Sequence, residues 1–203
     1  MKSTFFHHLL LLSLPLLSQA QFNTATPYLE RWDHCHSIVL EQNKAHPGSL
    51  TLARPECMIG ALAPMFSVVT LDGKAFTTES LKGKITILNF WMISCPPCIA
   101  EIPGLNNVVR KYGRDDINYI AFGIDDEKDI NGFLKNHPWS FDQVAAGTTM
   151  MLDEFKIVFG FPTTFVIDQQ GIIIDAFSGG TTDEQAVKEI EDKLSADIDK
   201  VHK

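Results

Sequence analysis

The sequence predicts an α/β fold in which a mixed central sheet is flanked by helices, preceded by an N-terminal helical extension. Two observations predict it. Apolar runs rich in β-branched residues recur at 85–91, 117–125, 163–168 and 172–177, as is typical of buried strands. Helical patterns lie between them, and the order β, β, α, β, α, α, β, β, α fits a mixed sheet with helices on both faces.

Length and charge limit the class of protein. The 203 residues suffice for one domain with a modest extension, and 45% apolar and 21% charged residues are typical of a globular chain. The net charge is -8 and the chain has no long basic run, so nucleic-acid binding is not expected.

Residues 1–20 have the pattern of a signal peptide. Lys2 supplies the positive charge, 5–17 form a short apolar stretch, and Ala20 ends a small-residue cleavage site. The apolar stretch is short for a membrane span, although an uncleaved anchor stays open as an alternative. We therefore expect a mature chain that is periplasmic or otherwise extracytoplasmic and does not span the membrane.

The extension is predicted at 21–62 and the main domain at 63–203. Thr26 followed by Pro27 resembles a helix start, and apolar residues at helical spacing predict a helix to about residue 45. The main domain opens with a strand at 66–71, which a hairpin turn at Asp72-Gly73 ends.

The later elements follow from the same patterns. The buried strand 85–91 leads into a helix that ends near residue 112, and the strand 117–125 leads into an amphipathic helix at 126–136. A further short helix is predicted at 148–158. A turn joins the last two strands, and a capping box at 182–185 predicts the start of a terminal helix.

Cys95 and Cys98 form the strongest chemical signal. They lie at the predicted start of a helix directly after a buried strand. A helix N-terminus favours a thiolate, and the thiolate is the form that attacks disulfides. We therefore interpret Cys95 as a nucleophile and Cys98, one turn further along, as the residue that resolves the mixed disulfide. The zinc and haem alternatives lack a second ligand pair and a histidine after Cys98.

At these residues the chain resembles the TlpA/ResA-like branch of the thioredoxin superfamily, AhpC/TSA-related redoxins that include periplasmic reductants of cytochrome c maturation. The resemblance covers roughly residues 63 to 195. It rests on two stretches: NFW leading into CPPC and AEIP at 89–103, and GFPTTFVID at 160–168. It implies a thioredoxin-like fold and thiol–disulfide oxidoreductase activity that uses no cofactor besides the dithiol, and no metal.

The resemblance also implies roles for individual residues. Pro162 is expected to form a cis peptide facing the dithiol. Glu101, on the same helix face as Cys98, is expected to be a catalytic carboxyl group that takes the proton of the resolving thiol. A solvated Glu101 stays an alternative. The residues expected to bind substrate are Trp91, Pro96, Phe161, Pro162 and Thr163.

Three departures from the pattern affect these expectations. Asn89 stands where thioredoxins have a buried Asp, which places the acid–base role on Glu101. Ser94 replaces the usual Trp before the first Cys, and Phe161 replaces a smaller Thr before Pro162. The two last changes alter the surface that a partner meets.

Cys35 and Cys57 are expected to form a structural disulfide, because exported thiols tend to pair. Two alternatives stay open. One is a metal site with His34 and His36, although adjacent helical residues point in different directions. The other is electron relay between Cys35–Cys57 and the CPPC pair.

The function that we expect is disulfide exchange with protein disulfide or dithiol substrates, in the reducing direction and with a membrane electron donor. One alternative is a peroxiredoxin-like peroxidase, against which stands Met92 at the position where that branch has Thr. The other is a binding module without catalysis, which holds copper or a partner on the same fold.

Overall fold

The computed structural model describes residues 25–48 and 51–202. The predicted signal peptide lies outside this part of the chain, so its assignment stays a prediction. Within the described residues, no helix is long and apolar enough to cross a membrane.

The elements alternate much as the sequence predicts. The helices are α1 Tyr28–Ala45, α2 Thr78–Leu81, α3 Pro96–Tyr112, α4 Glu127–Leu134 and α5 Ala186–Val201. The strands are β1 Ser67–Val69, β2 Ala75–Thr77, β3 Ile85–Trp91, β4 Ile117–Gly123, β5 Asp142–Val144, β6 Thr163–Ile167 and β7 Ile173–Ser178. A 3-10 turn at Pro55–Met58 and a π-helical turn at Met150–Glu154 complete the described elements.

Five strands form the central mixed sheet, in the order β5-β4-β3-β6-β7. Strand β4 runs parallel to both β3 and β5, whereas β6 runs antiparallel to β3 and β7. Strands β1 and β2 pair as a separate hairpin. The predicted mixed sheet is therefore confirmed.

Alternate side chains of β3 divide the core between the two faces of the sheet. Leu88 and Phe90 pack on one face with residues of α1, of the hairpin and of the π-helical turn. Ile87 and Trp91 pack on the other face with residues of α3, α4 and α5. Because both faces are covered, β3 is buried along its whole length, as its unbroken apolar run predicts.

The N-terminal extension packs directly onto the main domain. The Tyr28 hydroxyl donates a 2.6 Å hydrogen bond to the carbonyl of Phe155. Cys35 of α1 is bonded to Cys57 of the 3-10 turn, so the predicted structural disulfide is confirmed. With both sulfurs in this bond, the alternative metal site loses its two thiolate ligands. The boundary between residues 62 and 63 stays a sequence interpretation.

Several local predictions were wrong. The capping box at 182–185 does not form, because α5 begins at Ala186 after an uncapped Gln185. Thr26 does not cap α1 but bridges to Ala61. Strands β2 and β5 and helix α2 were missed, because elements of three or four residues are too short to show a periodic pattern.

Candidate active site

The sheet brings the two predicted motifs to the same edge. Strands β3 and β6 are antiparallel, with Phe90 opposite Thr163. The end of β3, which leads to Cys95, therefore lies beside the start of β6, which Pro162 precedes. This pairing explains how two sequence motifs far apart in the chain contribute to one site.

The CPPC dithiol lies at the start of α3, as predicted. Cys95 is the N-cap residue and is bonded to Cys98 in a disulfide. The backbone N–H of Cys98 donates to Sγ of Cys95 at 3.2 Å, which supplies one of the contacts that stabilise a thiolate. Cys95 is 4% exposed and Cys98 is 0% exposed, so the first cysteine is the more accessible.

The segment before Cys95 is held by β4 and the loop that follows it. The backbone N–H of Ile93 donates a 2.8 Å hydrogen bond to Oδ2 of Asp125. The N–H of Ile124 donates to the carbonyl of Trp91 at 3.2 Å. These two contacts fix the path of the chain between β3 and α3. Asp125 was not among the residues predicted from the sequence, although its place after a buried strand is a signal for such a role.

The loop that carries Pro162 contains the predicted cis peptide bond. The Phe161–Pro162 peptide bond is cis, which confirms that expectation. The Pro162 carbonyl accepts a 2.8 Å hydrogen bond from the N–H of Gly179. The Thr163 hydroxyl donates to the Gly160 carbonyl at 2.8 Å, so the loop is closed by its own residues.

The predicted substrate contacts divide into exposed and buried positions. Pro96 is exposed and Phe161 is half-buried, so both side chains are available to a partner. Trp91 and Thr163 have no exposed surface, and Pro162 is buried, so the side chains of these three residues are not accessible to a partner in this structure. Trp91 instead packs beneath the site against Trp139, with 4.9 Å between ring centroids.

Glu101 lies one helical turn after Cys98 and is 4% exposed, so it is a buried carboxyl group and not the exposed one of the alternative. Its Oε1 accepts a 2.8 Å hydrogen bond from Nδ2 of Asn89. Burial raises the pKa of Glu101 to about 8, although the Asn89 hydrogen bond acts in the opposite direction. The carboxyl group can therefore gain or lose a proton near neutral pH, as an acid–base residue requires.

The structure adds one more polar residue to this group. Nδ2 of Asn89 also donates to the Thr164 hydroxyl, at 3.1 Å. The side chains of Asn89, Glu101 and Thr164 thus form a buried network that joins β3, α3 and β6. The role of Thr164 was not predicted from the sequence, because a threonine inside a strand does not by itself indicate a functional site.

Comparison with known proteins assigns the family. A family model, the AhpC/TSA family, matches residues 59–176, which include the dithiol and the Pro162 loop. The chain belongs to the AhpC/TSA family. The thiol-disulfide oxidoreductase ResA of Bacillus cereus is 33% identical to this chain over 133 residues, 65% of this chain and 76% of that protein.

Two further comparisons agree with this assignment. The thioredoxin-like protein YneN of Bacillus subtilis is 31% identical over 147 residues, 68% of this chain and 79% of that protein. A thiol:disulfide interchange protein of the thioredoxin family from Chlorobium tepidum has a TM-score of 0.53 and 28% identity, over 70% of this chain and 98% of that one. This AhpC/TSA-family chain is a thiol–disulfide oxidoreductase with a thioredoxin-like fold, as the TlpA/ResA-like resemblance implied.

Proposed function

We propose that this protein is an exported enzyme that reduces disulfides of protein substrates through Cys95 and Cys98. The observation that carries the proposal is the CPPC pair at the start of α3, beside the Pro162 loop at the same sheet edge. The dithiol itself carries the two electrons.

The first step is attack by Cys95. In the reduced enzyme, the Cys95 thiolate attacks one sulfur of a substrate disulfide, forms a mixed disulfide and releases the other sulfur as a thiolate. Its place at a helix N-terminus, the N–H of Cys98 and its greater exposure than Cys98 support this assignment.

The second step is resolution by Cys98. Its sulfur attacks Cys95 Sγ, the Cys95–Cys98 disulfide forms, and the substrate leaves as a thiolate. The proton of the Cys98 thiol passes to the Glu101 carboxylate. The raised pKa of Glu101 supports this role, because a carboxyl group with a pKa of about 8 holds the proton that it receives.

The carboxyl groups near the dithiol support the reducing direction. A strong oxidant such as DsbA owes its potential to a stabilised reduced form. Here Glu101 lies one helical turn after Cys98, and Asp125 binds the segment that leads to Cys95. The negative charge of Asp125, and that of Glu101 once it has lost its proton, disfavour a thiolate and so favour the disulfide, which lowers the reduction potential.

Export is supported by the second disulfide and by the N-terminal pattern. Cys35–Cys57 is a structural disulfide, and such bonds persist in oxidising compartments. A reductant in such a compartment needs a supply of electrons, and we propose a membrane protein with a dithiol as the donor.

A trapping experiment tests the exchange reaction. The Cys98→Ser variant is expected to stop at the mixed disulfide and to retain a partner that reducing agent releases, as non-reducing gels and peptide mass spectrometry detect. The Cys95→Ser variant is the matched control and should retain none. If partners bind both variants equally and without a disulfide, the protein is a binding module, whereas peroxide turnover by the wild type would favour the peroxidase.

A further inference from the structure

Gly180, in the loop between β7 and α5, lies where three parts of the redox site meet. A Cβ atom built on it would lie 3.6 Å from Cβ of Pro97, 3.8 Å from Oε2 of Glu101 and 3.8 Å from Cγ of Pro162. A side chain at this position would thus touch the CPPC helix, the buried acid and the cis-proline loop at once.

A cleft leads from this position to Glu101. Oε1 of Glu101 accepts the Asn89 hydrogen bond, so Oε2 is the atom that Gly180 faces. The residues that line the cleft with Glu101 include Phe177, Gly180, Thr181, Glu189, Ile190 and Lys193. Solvent therefore reaches the carboxyl group from the side of α5.

The backbone does not explain why a glycine stands here. The preceding Gly179 has φ of +82°, a conformation that favours glycine, whereas Gly180 does not have a positive φ. The nearest contacts of its Cβ would be ordinary van der Waals distances, so a methyl group fits. What the missing side chain leaves open is the space over Oε2.

We propose that Gly180 is a positioning residue of the redox site, whose missing side chain keeps the Glu101 carboxylate in contact with solvent. The inference rests on the proposed role of Glu101 in the resolving step. A methyl group at this position removes water from Oε2 and so disfavours the charged form of the carboxyl group.

Several groups face Glu101 and act on its charge. The neutral side-chain amide of Asn89 on β3 donates to Glu101 and also to the hydroxyl of Thr164 on β6. Cys98 lies on the same helix as Glu101. Lys193 and Glu189 of α5 line the cleft with opposite charges. Lys193 is also paired with Asp175 of β7. A substitution of Gly180 changes none of these groups, so a shift in the pH profile reports the solvation of Glu101.

The test follows the resolving step with a small aromatic disulfide whose released thiolate is coloured. Attack by Cys95 releases the first thiolate, and attack by Cys98 releases the second. For Gly180→Ala we expect the pH profile of the second phase to move to higher pH by about half a unit, which slows that phase about threefold near neutral pH. The first phase should be unchanged.

Two variants make this test specific. In Gly180→Ser the added hydroxyl can donate to Oε2, so the profile should return toward that of the wild type. In a Glu101→Gln background, Gly180→Ala should leave the second phase unchanged. Gly132→Ala, which adds a methyl group to open space on α4, is the matched control for the wild-type background.

The outcomes separate this inference from the proposed function. If the wild type shows no second phase, the resolving role of Cys98 fails. If the wild type shows both phases and Gly180→Ala has the same pH profile, the inference about Gly180 alone is overturned. Equal slowing of the second phase in the Glu101→Gln background would also overturn it, because the methyl group would then act by steric contact.

Discussion

The side-chain amide of Asn89 donates a 2.8 Å hydrogen bond to Oε1 of Glu101, and both side chains are buried. The two effects on Glu101 oppose each other, since the hydrogen bond favours the carboxylate and burial disfavours it. Burial is the stronger, because the pKa of Glu101 is raised to about 8. The balance between the two effects determines the pH range in which Glu101 can accept the proton of Cys98.

Removal of the Asn89 amide should raise the pKa of Glu101 further. In Asn89→Leu the carboxylate loses its donor, so we expect the pKa of Glu101 to rise by about one unit. A carbon-detected NMR titration of the Glu101 carboxyl group measures it. The matched control is Asn118→Leu, because Asn118 donates to Thr86 in the same sheet and does not contact Glu101. An unchanged or lower pKa in Asn89→Leu would contradict the assigned hydrogen bond.

The raised pKa also predicts how stability depends on pH. The folded oxidised protein keeps the Glu101 proton up to about pH 8, whereas the unfolded chain releases it near the ordinary value of 4.5. Between these values the folded state binds more protons, so the free energy of unfolding falls as pH rises and levels off above the folded pKa. Urea denaturation across this range should show the fall in the wild type.

The control for this pH dependence is Glu101→Gln, which removes the titrating group. The stability of the wild type should fall relative to this variant between about pH 5 and about pH 8. Parallel curves for the two proteins would show that Glu101 has an ordinary pKa in the folded state.

The Cys35–Cys57 disulfide should stabilise the extension without taking part in exchange. It closes a loop between residues 22 apart, so the double variant Cys35→Ala/Cys57→Ala should lose about 3 kcal/mol of stability. Urea denaturation measures the loss, and hydrogen exchange should increase in α1 before β3. If the double variant keeps its fold but loses disulfide-exchange activity, the Cys35–Cys57 pair would take part in electron transfer and would not be purely structural.

Gly104 should tolerate no side chain. Its Cβ would lie 2.4 Å from the backbone carbonyl oxygen of Val187 and 2.4 Å from Cγ2 of Ile190, so α3 and α5 would have to separate. We expect Gly104→Ala to cost about 2 kcal/mol in chemical denaturation. Gly132→Ala is the control on a helix, and it should stabilise the protein by about 0.5 kcal/mol because its methyl group meets nothing within 4 Å. Equal effects in the two variants would contradict the close packing of α3 on α5.

The sequence predicted those features that depend on long patterns or on reactive residue types. Strand β3 was predicted with its observed bounds, because a strand covered on both faces is apolar throughout. The helix after Cys95 was predicted to pass through Pro103, and it does. The CPPC pair was recognised because cysteines at this spacing, after a strand and before a helix, have few other uses.

The features that escaped prediction depend on tertiary contacts. A single sequence does not show which residues of two strands lie opposite each other in the sheet. The contact of Thr164 on β6 with Asn89 on β3 was therefore not predicted. Trp91 belongs to a stretch that resembles the family's active site, yet it packs under the site and not on its surface. The place of Gly180 depends on three elements that meet only in the fold.

The reduction potential of Cys95–Cys98 decides whether the enzyme reduces its substrates. A redox-buffer titration with alkylation and peptide mass spectrometry reports this pair and Cys35–Cys57 separately. We expect a potential near that of thioredoxin, about -270 mV, with Cys35–Cys57 oxidised throughout. A potential between about -120 and -180 mV would make the enzyme an oxidase or isomerase, and a pair that does not cycle would contradict exchange through these cysteines altogether.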